Sequence, residues 1–222
     1  VVADSHLGDS SEEVDALVAL LETAPAGLSN FVVLGDLFDA WIGPETVGRG
    51  PLTKLLVAFA KLTEQGVKIF LVRGNRDVLL REKDGALFSA TVVDRLVWGE
   101  GENQILLSHG DEYCLRDKSY QRLRRFLRCR LVRGVLLALP LFVRQGLARK
   151  MRSASRQAIA RKPLDMMALE EAAVASALQN FGVRQAWMGH LHVEETHSIG
   201  LHGKLQILPA WELGVGPKEL GF

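Results

Sequence analysis

Cysteine is nearly absent from this sequence: Cys114 and Cys129 are the only two in 222 residues, and neither sits in a C-x-x-C or other zinc-type spacing. That excludes a disulfide framework and a thiolate zinc site, and it predicts two ordinary buried thiols in a reducing cytosol. No apolar run reaches the roughly 20 residues a helix needs to cross a bilayer, since the longest candidate, Gly134 to Val143, is broken by Pro140. Internal repeats and low-complexity tracts are missing as well. What remains, 48% hydrophobic and 24% charged residues, excludes disordered and fibrous classes and fits one globular domain over 1–222. The chain opens directly in apolar Val1-Val2-Ala3 with no charged leader, which reads as a slightly trimmed cytosolic chain.

Acids are missing from one long stretch. Between Arg116 and Lys162 there are 15 Lys or Arg against a single acid, Asp117, so this segment carries +14 and the remainder of the chain −13, although the net charge is only +1. A solvated helical face would intersperse acids to pair with the bases. Their absence predicts a surface for phosphates, nucleic acid or anionic lipid. Aromatic side chains for base stacking are sparse there, limited to Tyr120, Phe126 and Phe142, so nucleic acid is not the expected partner.

Elsewhere short apolar runs alternate with helical patterns, the signature of a layered α/β domain. Strands are expected at Val1 to Ala3, Asn30 to Leu34, Val67 to Val72, Val92 to Val97, Gln104 to Leu107, Gln185 to Met188, Glu194 to Ile199 and Leu205 to Leu208. Ser10 with Glu13 forms a capping box for a helix to about Glu22, and Pro51 opens another whose Leu52, Leu55, Leu56, Phe59 and Leu62 share a face before Gly66 ends it. From about 117 to 162 the alternation gives way to a basic helical insertion. A further helix is expected from Leu164 to Asn180, closed by Gly182.

Five segments that follow predicted strands end in metal-binding side chains: Asp4-Ser-His6, Gly35-Asp36, Gly74-Asn75-Arg76-Asp77, His109-Gly-Asp111 and Gly189-His190-Leu-His192. Singly each is weak, because His-x-His and Asp-x-His pairs are common. Together they are specific, because ligands on open α/β sheets gather at the carboxyl ends of strands. Mixed carboxylate, amide and imidazole donors suit Mn²⁺, Fe²⁺ or Zn²⁺ rather than Ca²⁺. Glycine precedes the donor in three segments, where it lets the backbone turn sharply. His197 and His202 fall outside the motifs and are assigned to strand and turn surface, while Trp41 and Trp211 flank the site in sequence and are read as core.

These motifs resemble those of the calcineurin-like metallophosphoesterases, over nearly the whole chain. The resemblance implies a β-sandwich core flanked by helices and two divalent ions, one held by Asp4, His6, Asp36 and His192, the other by Asp36, Asn75, His109 and His190. Asp36 would bridge them, and two ions about 3.5 to 4 Å apart share a hydroxide nucleophile and clamp the phosphoryl oxygens. Asp77 and Asp111 would then orient ligands. Arg76 stands where many members have histidine. Arginine cannot donate a proton at neutral pH but grips phosphate with two parallel hydrogen bonds, which suits a leaving group such as a phosphate monoester, whose second pKa is about 6.

A closer resemblance, to the UDP-2,3-diacylglucosamine diphosphatases, rests on Gly35-Asp-Leu-Phe-Asp-Ala-Trp-Ile-Gly43, Gly74-Asn-Arg-Asp77, Ala138-Leu-Pro-Leu-Phe-Val-Arg144 and the basic insertion. It implies cleavage of a lipid-linked nucleotide to UMP and 2,3-diacylglucosamine 1-phosphate in lipid A biosynthesis, usually with Mn²⁺, at the cytoplasmic face of the inner membrane. The insertion at 117–162 would be a lid, with Val135 to Val143 lining an acyl groove. Asn75, Arg76, Asp117, Ser155, Lys162 and His190 would contact substrate. Ile159, Leu191 and Val193 depart from the family pattern, which leaves open another phosphodiester, nucleotide or lipid phosphate as substrate. A nuclease and an inactive metal-free scaffold are the alternatives from other classes.

Overall fold

The computed structural model describes residues 1–8, 10–48, 50–159, 162–201, 203–212 and 218. His202 and the side chain of Ile159 lie outside what is described. Two sheets stack face to face. The first is parallel, in the order β1 (Asn30–Leu34), β2 (Lys68–Val72), β3 (Ala90–Val93); the second is mixed, in the order β4 (Arg95–Trp98), β5 (Ile105–Ser108), β6 (Gln185–Met188), β8 (Gly203–Ile207), β7 (Glu195–Ile199). Alternation along the strands sorts the core into layers. Phe31 and Val33 of β1 face helices, while Val32 and Leu34 face the second sheet and meet Ile105 and Leu107 of β5. Leu106, pointing the other way, packs under another helix.

Helix α1 (Ser11–Glu22) starts where Ser10 accepts a hydrogen bond from the Glu13 amide, and it buries Val14, Leu17 and Leu21 at helical spacing. It packs against α2 (Thr53–Glu64), which buries Leu55, Ala58, Phe59 and Leu62 over the first sheet. Trp41 lies in this core against Phe38 and Phe88.

Three expectations need correction. Val1 to Ala3 makes a single parallel bridge, Val2 to Val33, and no full strand. The apolar run from Val92 to Val97 is two strands in two sheets. The chain crosses between them at Asp94, whose carboxylate is held by Arg73 at 2.8 Å and Arg128 at 2.6 Å. The expected helix from Leu164 to Asn180 is interrupted, giving α6 (Leu164–Met167) and α7 (Glu171–Phe181). Glu170 between them is extended because its amide donates to the Tyr113 carbonyl at 2.9 Å. Helix α7 ends at Gly182 in the left-handed conformation and packs Val174, Ala177 and Leu178 on the second sheet.

The basic segment forms α3 (Lys118–Arg128), α4 (Arg130–Ala138) and α5 (Leu141–Ile159). Pro140 sets the second break: it forces Leu139 out of helical geometry, to ψ 150°. The first break falls at Cys129, which is exposed rather than buried; Cys114 is buried as expected. Among the described residues no helix is long and apolar enough to cross a membrane.

Candidate functional site

The chain ends of β1, β2, β5 and β6 and the segment after Val2 meet at one edge of the sandwich. Five of the six non-glycine residues with positive φ among those described are Asp4, His6, Asp36, His190 and His192. An L-residue in this region costs about 1–2 kcal/mol, and such strain persists only where the surroundings impose it. Here hydrogen bonds tie one turn to the next. The Asp4 amide donates to Gly35 O at 3.1 Å, the His6 amide to Asp36 O at 2.9 Å, and the His190 amide to Asp4 Oδ2 at 2.8 Å.

The glycines before the donors act by close approach. A Cβ on Gly35 would strike the His109 ring, one on Gly74 would overlap Asp36 Oδ1, and one on Gly189 would overlap Asp4 Oδ2. Only Gly35 of the three also needs positive φ, at 82°. Each glycine therefore makes room for a donor from a different segment.

Two groups of donor atoms result. Asp4, His6 and His192 offer atoms within 4.8 Å of one another, as do Asp4, Asp36 and His109. His192 Nε2 is 3.5 Å from Asp4 Oδ1, and His6 Nε2 is 3.4 Å from Asp36 Oδ2, so Asp4 and Asp36 stand between the imidazoles. Asn75 Oδ1 lies 3.0 Å from His109 Nε2. His190 belongs to neither group, but its ring stands edge-on to that of His109, 5.0 Å between centroids.

The donors fit a cation. Asp4 Oδ1 is buried and has no hydrogen-bond partner among the described residues, although three histidines surround it. His109 Nδ1 faces Leu34 O at 3.0 Å, so a ring that donates there turns its Nε2 lone pair toward Asn75 Oδ1 and Asp36 Oδ1. With no cation, burial opposes a charged His109, yet the carboxylates of Asp36, Asp4 and Asp111 outweigh it and raise its pKa to about 9. Burial likewise opposes ionised Asp36, and His109 and His6 overcome it, lowering its pKa to about 2. Asp77 is pushed up to about 7 by burial and by Asp36, while its oxygens accept from the amides of Gly74 at 2.5 Å and Leu37 at 3.1 Å. His190 is shifted down by burial and by His109.

Arg76 leans over this edge. Its amide donates to Asp36 Oδ1 at 2.8 Å, its Nε is 3.5 Å from Asp36 Oδ2, and its Nη1 donates to Asp39 Oδ1 at 2.9 Å. The other Asp39 oxygen pairs with Arg152 of α5. Asp39 and Arg152 escaped the sequence reading; the signal available was an acid three residues after Asp36 within the same loop. Asp117 caps α3 by accepting from the Tyr120 amide at 3.0 Å, and it pairs with Lys162, so two of the expected substrate contacts hold each other. Ser155 is exposed on α5. Leu191 packs partly against the second-sheet core, and Val193 is exposed.

A family model described as calcineurin-like phosphoesterase matches residues 1–194. Among individual proteins, the chain is similar to a UDP-2,3-diacylglucosamine hydrolase of Pseudomonas fluorescens, 36% identical over 203 residues, covering 90% of this chain and 80% of the relative. Relatives of the same name from Neisseria gonorrhoeae, 35% identical over 199 residues (88% and 82%), and Pseudomonas syringae pv. tomato, 33% over 219 residues (96% and 87%), match as broadly.

Proposed function

From the premise that this chain belongs to the calcineurin-like phosphoesterase family, we propose that it is a metal-dependent hydrolase that splits the pyrophosphate bond of UDP-2,3-diacylglucosamine, a step of lipid A biosynthesis. The products are UMP and 2,3-diacylglucosamine 1-phosphate, with one water added across the P–O–P bridge. The relatives named for this substrate support the reading. The observation that carries it is Arg76, a fixed cation beside Asp36 at the place where a proton donor would serve an alkoxide. A phosphate leaving group needs no such proton, because its second pKa is about 6, and a guanidinium holds its oxygens in two parallel hydrogen bonds.

The residues assigned to the metals are Asp4, His6, Asp36 and His192 for one ion and Asp36, Asn75, His109 and His190 for the other, with Mn²⁺ as the metal. When bound, such an ion pair supplies an activated water and neutralises phosphoryl charge. Asp36 is assigned to both ions, Asn75 and His190 serve both metal and substrate, and Arg76 orients the diphosphate. Asp39 holds Arg76 in place until substrate arrives. Asp117, Ser155 and Lys162 complete the contacts.

We assign residues 117–162 the role of a lid that covers the acyl chains, on a protein held peripherally at the cytoplasmic face of the inner membrane. Support comes from the exposed Leu131, Val135 and Phe142 amid arginines, a combination that favours anionic lipid surfaces. The deciding assay follows UMP release from UDP-2,3-diacylglucosamine with added Mn²⁺, beside a simple phosphodiester. Release from the lipid with little diester cleavage is expected. Brisk diester cleavage without lipid turnover would discard the substrate and keep the phosphoesterase.

A further inference from the structure

Helix α3 places Tyr120, Arg124 and Arg128 four residues apart on one face, and all three reach the carboxylate of Asp111. The Tyr120 hydroxyl donates to Oδ2 at 2.5 Å and Arg124 Nε donates to the same oxygen at 2.6 Å, while Arg128 Nη2 forms an ion pair with Oδ1 at 3.7 Å. Gln121 adds hydrogen bonds to the Asp111 carbonyl at 2.8 Å and the Cys114 carbonyl at 3.2 Å. Asp111 is fully buried, two residues after His109.

The same face touches two more of the donor-bearing segments. The Tyr120 ring is stacked on His190, 6.4 Å between centroids and 24° between planes. Arg128 Nη2 also donates to Arg73 O at 3.1 Å, immediately before Gly74-Asn75. One helix thus binds the segments after β2, β5 and β6, which come from both sheets. Helix α5, by contrast, meets the core through Arg144 at Ile42 and Glu45 and through Arg152 at Asp39.

We infer that α3 is a fixed brace of the metal centre and no part of a movable cover, with Asp111 and Tyr120 as positioning residues that set how the rings of His109 and His190 present their nitrogens. The reasoning is geometric. Imidazole rings turn about two side-chain bonds, and the partners behind a ligand decide its orientation. Here the partner behind His190 is the Tyr120 ring, and that ring is pinned by its own hydroxyl to Asp111. The moving part of the lid assigned above to 117–162 then begins after Arg128, at the corner marked by Cys129, and α3 is its fixed root.

This inference rests on the metal reading above, and its test separates the two. The full chain, stripped of metal, is titrated with Mn²⁺ by calorimetry, and the melting temperature of each metal-free variant is recorded alongside. Asp111→Asn is expected to weaken Mn²⁺ binding by roughly 10- to 100-fold, the range for partners that orient ligands. Tyr120→Phe, which removes one oxygen and keeps the ring, is expected to weaken it by a smaller factor with an unchanged metal-free melting temperature. Arg125→Ala, exposed on the same helix, is expected to bind as the wild type does. If Asp111→Asn fails to fold, Tyr120→Phe carries the test alone. Wild-type affinity in Tyr120→Phe and Asp111→Asn would overturn the brace and leave the metal centre standing, whereas a wild type that takes up no Mn²⁺ would overturn both.

Discussion

At the sheet ends Asp4, Asp36 and His109 are buried to 1%, 2% and 0% exposure, and each is held by backbone or imidazole partners from another segment. In α3 to α5 the proportions reverse. Leu127 and Arg144 are the buried side chains among those described, while Leu131 is 81% and Phe142 72% exposed. The two regions also handle charge differently. The sheet ends set acids against histidines within a few ångströms, whereas the helical segment has almost no acids of its own and pairs Arg124, Arg128, Arg144 and Arg152 with acids of other elements. The first region is specified by its own packing. The second leaves apolar and cationic side chains on its surface.

Substitutions should respect that division. The largest effect is expected from Asp36→Ala, which removes the carboxylate assigned to both ions: UMP release should fall to background and metal content should drop together with it. Next comes Arg76→Ala, where loss of a cation aimed at the diphosphate should slow turnover by about 10²- to 10³-fold while metal content stays near that of the wild type. Equal metal loss in both variants would erase the distinction between holding metal and holding substrate. Gly74→Ala follows. Its added Cβ meets Asp36 Oδ1 and the Asp36 amide, so a destabilisation of about 1–3 kcal/mol is expected, read by denaturant unfolding.

Effects in the helical region should be smaller and visible only with lipid present. Replacing Leu131 and Phe142 by Ser should leave the melting temperature unchanged, since both are already exposed, and should weaken sedimentation with anionic vesicles severalfold; a large loss of stability would mean that this surface is packed after all. The smallest effect concerns the tether of α5. Hydrogen bonds from Arg144 hold the Glu45 carboxyl at about 2 instead of the ordinary 4.5. A depressed carboxylate stabilises fully above its unfolded pKa and loses that contribution as pH falls from about 4.5 toward 2. Melting temperatures of the wild type and Glu45→Gln should therefore converge over that window, and parallel curves would deny the pair any role.

Much of the sheet-end region was legible in the sequence, because a strand followed by glycine and a donor is a local pattern. The layers were legible too, since Val32 and Leu34 alternate with Phe31 and Val33. What escaped were features made by distant partners. Val92 to Val97 is apolar sequence apart from Asp94 and Arg95, and nothing local says that the chain changes sheets there. The break before α7 depends on Tyr113, more than fifty positions earlier. Asp39 gave no sign of its two arginines, because a salt bridge between residues 39 and 152 leaves no spacing to read. The Tyr120, Arg124 and Arg128 spacing was present in the sequence, but the +14 charge of the segment pointed outward and concealed an inward-facing row.

The donors come from two sheets that touch through a thin apolar layer in which Val32, Leu34 and Val72 meet Ile105 and Leu107. Asp36 and Asn75 ride on one sheet, His109 and His190 on the other, so the gap between them works like the jaws of a caliper whose setting screw is that layer. A methyl group trimmed at Leu107, which carries no donor, would loosen that screw by leaving a cavity between the jaws, with every metal-binding atom still in place.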